Sequence, residues 1–236
     1  MAQLIETKAC PQCSKSGKGR SLGVYEDGAY CYECGFSDNK VSAPTEVKVD
    51  KMIKDTIQVG EYRAISARGI NLDTAKKYKC TVAEYAGKQV MCMSLYKEGK
   101  VVAQKLKFKS GDGPKYIWLG DTSEMTPLWG MDIWEPNPKL SVVVCEGETD
   151  MLCRSSLNEN KWPVVGLTHG AGPQALKQLA AAKEYLSGFK KIVLMFDGDE
   201  TGRKCAEEAS KILGPKAVIA KMPDGEDVCS MYQSGS

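Results

Sequence analysis

The chain has 236 residues, of which 42% are hydrophobic and 26% are charged. This balance is typical of a globular protein and excludes a wholly disordered chain, a collagen-like rod and a coiled coil. The formal net charge of +2 conceals a basic middle, residues 41–115 with 15 basic and 8 acidic side chains, and an acidic end, residues 116–236 with 12 and 17. The asymmetry fits either a protein that holds polyanions in one part and metal ions in the other, or two solvated faces of opposite sign.

Neither a membrane segment nor a secretion signal is expected. The longest apolar runs, Leu140–Cys145 and Ile192–Phe196 among them, are far shorter than the roughly 18–20 residues that cross a bilayer. The start, MAQLIETK, has no apolar signal core. We therefore expect a cytoplasmic protein whose cysteines bind metal or stay reduced.

Two closely spaced cysteine pairs stand near the beginning of the chain. They are CxxC pairs separated by 17 residues: Cys10, Cys13, Cys31 and Cys34. This spacing is typical of a tetrahedral four-cysteine zinc site, and Asp27-Gly28 between the pairs predicts a hairpin turn. We expect residues 1–40 to form a small all-β zinc ribbon whose metal supplies much of the folding free energy, the alternatives being two redox dithiols or a chance spacing. The other cysteines are expected to be buried free thiols: Cys80, Cys92, Cys145, Cys153, Cys205 and Cys229.

Residues 41–58 contain no aromatic residue and are rich in lysine and aspartate, which predicts a flexible linker. Residues 59–137 follow as a basic α+β subdomain. Capping residues at Asn71–Tyr78 predict a short helix, and Gln89–Tyr96 with Lys100–Phe108 predict a hairpin.

Lysines recur with period two on the second strand of that hairpin. Lys105, Lys107 and Lys109 therefore point to one face. Their mutual repulsion indicates either a phosphate-bearing ligand lying across them or a solvated face that guards an edge strand. Arg63 and Arg68 are further phosphate candidates with the same ambiguity.

Residues 138–236 alternate between apolar strands and helices, which predicts a parallel sheet flanked by helices. The predicted strands are Leu140–Cys145, Val164–Leu167, Lys191–Phe196 and Ala217–Lys221, and the helices run from Met151, over Gln174–Leu186 and over Gly202–Leu213. Ligands of such sheets gather at the carboxyl ends of the strands.

Acidic clusters follow two of these strands, Glu146-Gly-Glu-Thr-Asp150 and Asp197-Gly-Asp-Glu200. Carboxylates brought together repel one another unless divalent cations join them, and Mg²⁺ favours carboxylate oxygens. Two ions about 3.5–4 Å apart would serve phosphoryl transfer. The alternative is that the second cluster only caps the next helix, although this leaves the matching acids of the first cluster without a role.

These two clusters resemble the two motifs of the Toprim domain. A zinc ribbon, a linker, a basic subdomain and then Toprim is the order found in DnaG-type primases. The details resemble the primase half of the primase–helicases of short-tailed phages: ISARGI at 65–70, AQKLK at 103–107, LTHGAG at 167–172 and DGDETGRK at 197–204. The resemblance implies a DNA-directed RNA polymerase, a nucleotidyltransferase that makes short RNA primers on single-stranded DNA from ribonucleoside triphosphates for DNA replication.

The resemblance also assigns metal ligands. Glu146 would be a metal-linked catalytic acid, and Asp197 and Asp199 would be catalytic ligands of Mg²⁺ or Mn²⁺, with two ions in the site. Asp227, in Pro-Asp-Gly-Glu-Asp, would be a third ligand. Asp150 would support the site and the bound nucleotide.

Other residues would contact nucleotides or DNA. Lys105 and Lys107 would be catalytic lysines that bind nucleotide phosphates or template. His169, the only histidine, is read as a turn residue or a nucleotide contact. One departure stands at Ala29, because phage relatives usually carry a histidine just before the second cysteine pair. The template trinucleotide that the ribbon selects is therefore left open.

The implied cofactors are one structural Zn²⁺ and the catalytic divalent cations. The implied partners are single-stranded DNA template, ribonucleoside triphosphates, RNA primer, a DNA polymerase and a replicative helicase in a primosome, in the cytoplasm of a host cell. The sequence has no GxxxxGKS/T motif, so we expect no ATPase of its own, and a helicase domain was either removed or is a separate protein. Two alternatives remain: a RecR-like zinc/Toprim DNA-binding recombination mediator, or a Toprim nuclease.

Overall fold

A computed structural model describes residues 4–11, 22–25, 28–31, 37–38, 58–97, 100–109, 115–122 and 126–235. The chain divides into two compact units, Met1–Asp55 and Thr56–Ser236. The predicted linker lies outside the described residues except for Gln58. Across the described part of the chain, every helix is too short or too polar to cross a membrane.

The first unit contains a four-stranded antiparallel sheet. Its strands, in spatial order, are β1 Leu4–Lys8, β2 Leu22–Tyr25, β3 Gly28–Cys31 and β4 Ser37–Asp38. The pairing of Tyr25 with Gly28 confirms the predicted hairpin strands, although its turn residue Asp27 lies outside the described residues. Cys10 and Cys31 are both buried in the small core of this unit. Cys13 and Cys34 lie outside the described residues.

The second unit opens with an antiparallel meander. After a short 3₁₀ turn at Ser66–Arg68 come helix α1 Leu72–Lys77 and strands β5 Cys80–Tyr85, β6 Lys88–Lys97, β7 Lys100–Phe108 and β8 Tyr116–Gly120. The Asn71 side chain accepts a hydrogen bond from the Thr74 N–H at 2.7 Å, so the predicted cap of α1 is confirmed. Strand β7 pairs with β6 on one side and β8 on the other. The reading of its lysines as guards of an edge strand is therefore wrong.

A five-stranded sheet forms the rest of the second unit. Its strands are β9 Leu128–Trp129, β10 Ser141–Cys145, β11 Val164–Leu167, β12 Lys191–Met195 and β13 Ala217–Ile219, in the order β13-β12-β10-β11-β9. The strands are parallel as predicted, except that β9 joins the edge antiparallel to β11.

The helices around this sheet differ from the predictions at their ends. They are α2 Glu148–Leu157, α3 Pro173–Ala181, α4 Lys183–Ser187, α5 Glu200–Leu213 and α6 Val228–Ser234. Helix α2 begins three residues before Met151, because the acids in its first turn favour a helix amino terminus. The single helix predicted over Gln174–Leu186 is two, since the ψ angle of 0° at Ala182 ends the first.

Strand β10 has apolar side chains on both faces, and this determines where the meander lies. Val142 and Val144 pack in the cluster that contains the residues of α3, α4 and α5. Val143 and Cys145 alternate to the opposite face and pack in a cluster with residues of α1, α2 and the meander. The meander is therefore held against the face of the sheet that also carries α2. The six scattered cysteines are buried and free, as predicted.

Candidate active site

The two acidic motifs meet at the carboxyl edge of the parallel sheet. Strands β10 and β12 are neighbours, so Glu146 and Asp197, which follow them closely, lie side by side. The Asp197 N–H donates to Glu146 Oε2 at 3.1 Å, and the Ala171 N–H donates to the other carboxylate oxygen at 3.4 Å. Residues 51 positions apart in the chain are thereby brought into one site.

A third acid arrives at the start of α6. Asp227 caps this helix, where its carboxylate accepts the Ser230 N–H at 2.6 Å. The segment before it is joined to the second motif, because the Gly198 N–H donates to the Glu226 carbonyl at 2.8 Å. The carboxylates of Asp150 and Asp227 and the Cys229 thiol lie within 4.8 Å of one another, an arrangement that could hold a metal ion.

These acids line a cavity of about 520 Å³ in the second unit. Basic side chains, most of them from β7 and its neighbours, line the same cavity. The titratable side chains that line the cavity are Arg68, Lys105, Lys107, Lys109, Lys115, Tyr116, Glu146, Glu148, Asp150, His169, Asp197 and Asp227.

Burial and mutual repulsion act together on the acidic wall. Burial, and then the charge of Glu146 and the other nearby acids, raise the pKa of Asp197 to about 7. Burial also raises the pKa of Glu146, and burial together with Asp227 raises that of Asp150. A divalent cation relieves such repulsion, and oxygen donors suit Mg²⁺ or Mn²⁺. The donor set therefore fits the metal ions expected from the sequence.

Two glycines allow these motifs to approach each other closely. A Cβ atom at Gly202 would lie 2.3 Å from the Asp197 carbonyl oxygen and 2.9 Å from Glu146 Oε2. A Cβ atom at Gly198 would lie 1.8 Å from the Pro223 carbonyl oxygen. Glycine is required at both positions because any side chain would push the acids apart.

Asp199 differs from Asp197. Its carboxylate accepts the Gly202 N–H at 2.7 Å and caps α5, and it is not among the residues that line the cavity. One carboxylate oxygen of Asp199 therefore caps the next helix, as the alternative interpretation of the sequence proposed for this cluster. Its charge still raises the pKa of Glu146 and Asp197. Whether Asp199 binds metal stays a prediction.

The lysines on β7 face a carboxylate of the protein itself. Lys105 is 3% exposed, and its ammonium donates to Glu148 Oε2 at 2.9 Å and to the Thr168 carbonyl at 2.7 Å. Lys107 lies 3.2 Å from the other oxygen of Glu148 and donates to Thr149 Oγ1. The anion beside Lys105 and Lys107 is thus Glu148, which neither interpretation of the sequence included.

The remaining predicted cations divide into two groups. Arg68 and Lys109 line the cavity. Arg63 lies outside it and pairs with the exposed carboxylate of Glu61 at 2.7 Å. Its contact with DNA or nucleotide stays a prediction.

The sequence reading missed four residues of this region. Glu148 stands inside the first acidic motif, but its position in the first turn of a helix facing β7 could not be read from its neighbours. Lys115, just before β8, and Tyr116, its first residue, also line the cavity, and the short apolar run YIWLG that forms this strand shows no alternation that would mark one face. Gln178, on α3, contacts His169, and no sequence signal marks it.

Comparisons with known proteins agree with this geometry. The Toprim-like family model matches residues 143–232. The primase fragment of the bacteriophage T7 primase-helicase is 30% identical, with a TM-score of 0.68, over 99% of this chain and 96% of that one. Primase domains from a T7 lagging-strand DNA polymerase complex, bound to an RNA/DNA hybrid and dTTP, are 36% identical with a TM-score of 0.65, over 75% of this chain and 88% of that one.

The DNA helicase/primase of Enterobacteria phage T3 is 31% identical over 226 residues, which is 89% of this chain. This chain spans 39% of the length of that protein. The zinc-binding and RNA polymerase domains of the Aquifex aeolicus primase, 17% identical with a TM-score of 0.56, share the fold. The chain therefore belongs to the Toprim DNA primases, in the family of the primase domains of T7-type primase-helicases.

Proposed function

We propose that the chain is a primase that synthesises short RNA primers on a single-stranded DNA template from ribonucleoside triphosphates. One observation carries this proposal: Glu146, Asp197 and Asp227 converge in a single cavity that basic side chains also line. An acidic site for divalent cations beside cations that attract phosphates is what nucleotidyl transfer requires. The kinship with primase domains of phages T7 and T3 supports it.

Glu146, Asp150, Asp197 and Asp227 would hold Mg²⁺ or Mn²⁺. When bound, the ions supply positive charge that favours attack of the 3′-hydroxyl of one nucleotide on the α-phosphate of the next and stabilises the pyrophosphate that leaves. The Glu146 carboxylate, held by the N–H groups of Asp197 and Ala171, would lie beside the reacting hydroxyl and accept its proton.

The basic side chains of the cavity would hold the anionic substrates. Arg68, Lys109 and Lys115 line the cavity, and they would attract the triphosphate and the template backbone. Lys107 would contribute from a half-buried position beside Glu148. We assign Lys105 a structural role instead, because its ammonium is already engaged by Glu148 and Thr168.

A zinc ribbon over residues 1–40 would select the template sequence and hold the short primer. The burial of Cys10 and Cys31 in one small core supports a shared site with Cys13 and Cys34. A helicase and a DNA polymerase are the proposed partners, because the T3 relative is a helicase/primase and the T7 primase domains were solved with a polymerase.

The test is incubation with single-stranded DNA of random sequence, Mg²⁺ and labelled ribonucleotides. The wild-type chain should make short oligoribonucleotides, and Glu146→Gln should lower the rate at least about 100-fold, since removing a positioned acid or base costs that much or more. Glu200→Gln is the matched control, because Glu200 belongs to the second motif but is exposed and pairs with Lys204. Cleavage of the DNA would instead identify a nuclease, and binding without synthesis a recombination mediator.

A further inference from the structure

The single histidine of the chain has a neighbour to which no role has been assigned. His169 stands in the loop between β11 and α3 and lines the cavity. Its Nδ1 atom lies 2.8 Å from Nε2 of Gln178 and 2.8 Å from Oγ1 of Thr168. Gln178 lies on α3, outside both acidic motifs.

The orientation of the Gln178 amide follows from a backbone contact. The Thr168 N–H can only donate, and it points to Oε1 of Gln178 at 3.4 Å. The amide nitrogen must then be the atom that faces Thr168 Oγ1 and His169 Nδ1. Because an amide NH₂ group only donates, Nδ1 of His169 has to accept.

A histidine whose Nδ1 accepts is neutral and carries its proton on Nε2. A second proton on Nδ1 would face the N–H of Gln178, so the charged form is disfavoured. Burial and the Lys105 ammonium lower the pKa of His169 in the same sense, with Glu148 opposing them. The ring is also packed against Trp118, with 5.7 Å between the ring centroids, which restrains its plane.

We propose that Gln178 is a positioning residue that holds His169 in the Nε2–H tautomer, so that Nε2 donates a hydrogen bond to a phosphate oxygen in the cavity. Among the described residues, Nε2 has no hydrogen-bond partner. The identity of the ligand rests on the proposed primase function, and the phosphate belongs either to a ribonucleoside triphosphate or to the template backbone. His169 then neither binds metal nor acts as a general base, because neither nitrogen offers a free lone pair.

The tautomer can be read directly, because a chain with one histidine gives one set of imidazole signals in a long-range ¹H–¹⁵N correlation spectrum. At mildly alkaline pH the wild-type Nδ1 should resonate as an unprotonated nitrogen and Nε2 as a protonated one. In Gln178→Glu an accepting oxygen replaces the donor, which should move the proton to Nδ1 and raise the pKa of His169. Gln174→Glu, an exposed change on the same helix, should leave the spectrum unchanged. A protonated Nδ1 in the wild type, or no effect of Gln178→Glu, overturns the proposal.

The ligand is tested in two arms on the same sample. ATP with Mg²⁺ should shift the Nε2–H signals if the phosphate is that of a nucleotide, and an oligodeoxythymidylate should shift them if it is that of the template. A response in neither arm overturns the proposal. With primer synthesis at the same mildly alkaline pH as readout, where a neutral ring protonated on Nδ1 has no donor at Nε2, Gln178→Glu should raise the KM for the corresponding ligand about tenfold and change kcat less, as loss of a hydrogen bond to a charged group predicts.

Failure of this inference is distinguishable from failure of the proposed function. A primase that makes primers but shows a protonated Nδ1 contradicts only the inference. A chain that shows the Nε2–H tautomer and binds ATP there, yet makes no primers, contradicts only the function.

Discussion

Glu148 and Lys105 carry opposite charges inside the protein, and each side chain is 4% exposed. Burial alone would raise the pKa of Glu148, but Lys105 and Lys107 outweigh it and hold that pKa at about 2. Burial lowers the pKa of Lys105, although Glu148 opposes the shift. The carboxylate of Glu148 is therefore ionised at neutral pH, and it links the lysine strand to helix α2, which begins at Glu148.

Replacing Glu148 with glutamine should lower the free energy of unfolding by about 3–5 kcal/mol, because the buried ammonium of Lys105 loses its ionic partner. Urea unfolding measures this. Asp132→Asn is the matched control, since it removes an exposed ion pair with Lys79 and should cost less than about 1 kcal/mol. Similar losses in the two variants would contradict the structural role of the buried pair.

The pH dependence of this pair follows from the direction of the pKa shift. Because the pKa of Glu148 in the folded chain lies below the ordinary 4.5, its stabilisation is present above that pH and is lost as the pH falls toward about 2. In a plot of the free energy of unfolding against pH, Glu148→Gln should therefore reduce the slope on the acidic side, which urea unfolding at a series of pH values measures.

Asp197 shifts in the opposite direction, with its pKa raised from 3.8 to about 7. The folded chain holds this proton longer than the unfolded chain, so the metal-free protein should lose stability as the pH rises between these values. Mg²⁺ should therefore raise the melting temperature more at about pH 8 than at about pH 6, since it competes with the proton. Thermal unfolding with and without Mg²⁺ measures both trends. Asp197→Asn should remove the difference between the Mg²⁺-induced shifts in melting temperature at the two pH values. Equal shifts at both pH values in the wild-type chain would contradict the prediction.

At the scale of secondary-structure elements, the site is built where helices begin. Helix α2 starts beside Glu146, α5 starts after Asp199, and α6 starts at Asp227. Each amino terminus favours nearby negative charge, which partly offsets the repulsion among the acids. The spacing between the first and second motifs then depends on the close approach of α5 to the end of β10.

Gly202→Ala should weaken Mg²⁺ or Mn²⁺ binding about 10- to 100-fold, the usual cost of disturbing the surroundings of metal ligands. The added methyl group would collide with the Asp197 carbonyl and with Glu146. Alanine is otherwise the better helix former, by about 1 kcal/mol, so a weaker helix would not explain the loss. Titration calorimetry measures the affinity. Thr201→Ala, one position earlier and exposed, is the control and should bind the ion as the wild type does.

At the scale of the whole molecule, the two kinds of proposed metal site lie in different units. The cysteine pairs belong to Met1–Asp55, whereas the acids belong to Thr56–Ser236. A small all-β unit of this size buries little apolar surface, so its folding should depend on the metal. The second unit has extensive apolar clusters of its own.

Native mass spectrometry should therefore find one zinc ion per wild-type chain and none in Cys31→Ser. Cys92→Ser, which changes a buried thiol of the second unit, is the control and should keep its zinc. Mg²⁺ affinity should be the same in all three proteins, because the acidic site is built within the second unit. A wild-type chain without zinc, or Cys31→Ser with it, would exclude the proposed ribbon site.

Much of the second unit could be predicted because its signals are local. The apolar run of β10 and the acids after it are adjacent in the sequence, and parallel strands place their carboxyl ends at one edge. The cap at Asn71 and the strands of the hairpin are also determined by neighbouring residues. The break at Ala182 and the short strand β9 carry no comparable local signal and were missed.

The sequence by itself determined that Lys105 and Lys107 share a face and that Glu146 and Asp197 follow strands of one parallel sheet, whereas the pairing of those two strands came from the structure. Only the tertiary structure decided that Glu148, 43 residues from Lys105, forms ion pairs with Lys105 and Lys107, and that Gln178 contacts His169. The physical reason is that alternation along a strand fixes which side chains point together, whereas the group opposite them depends on how two sheets pack. That packing is set by distant apolar residues on the second face of β10, and the spacing of charges along the chain does not encode it.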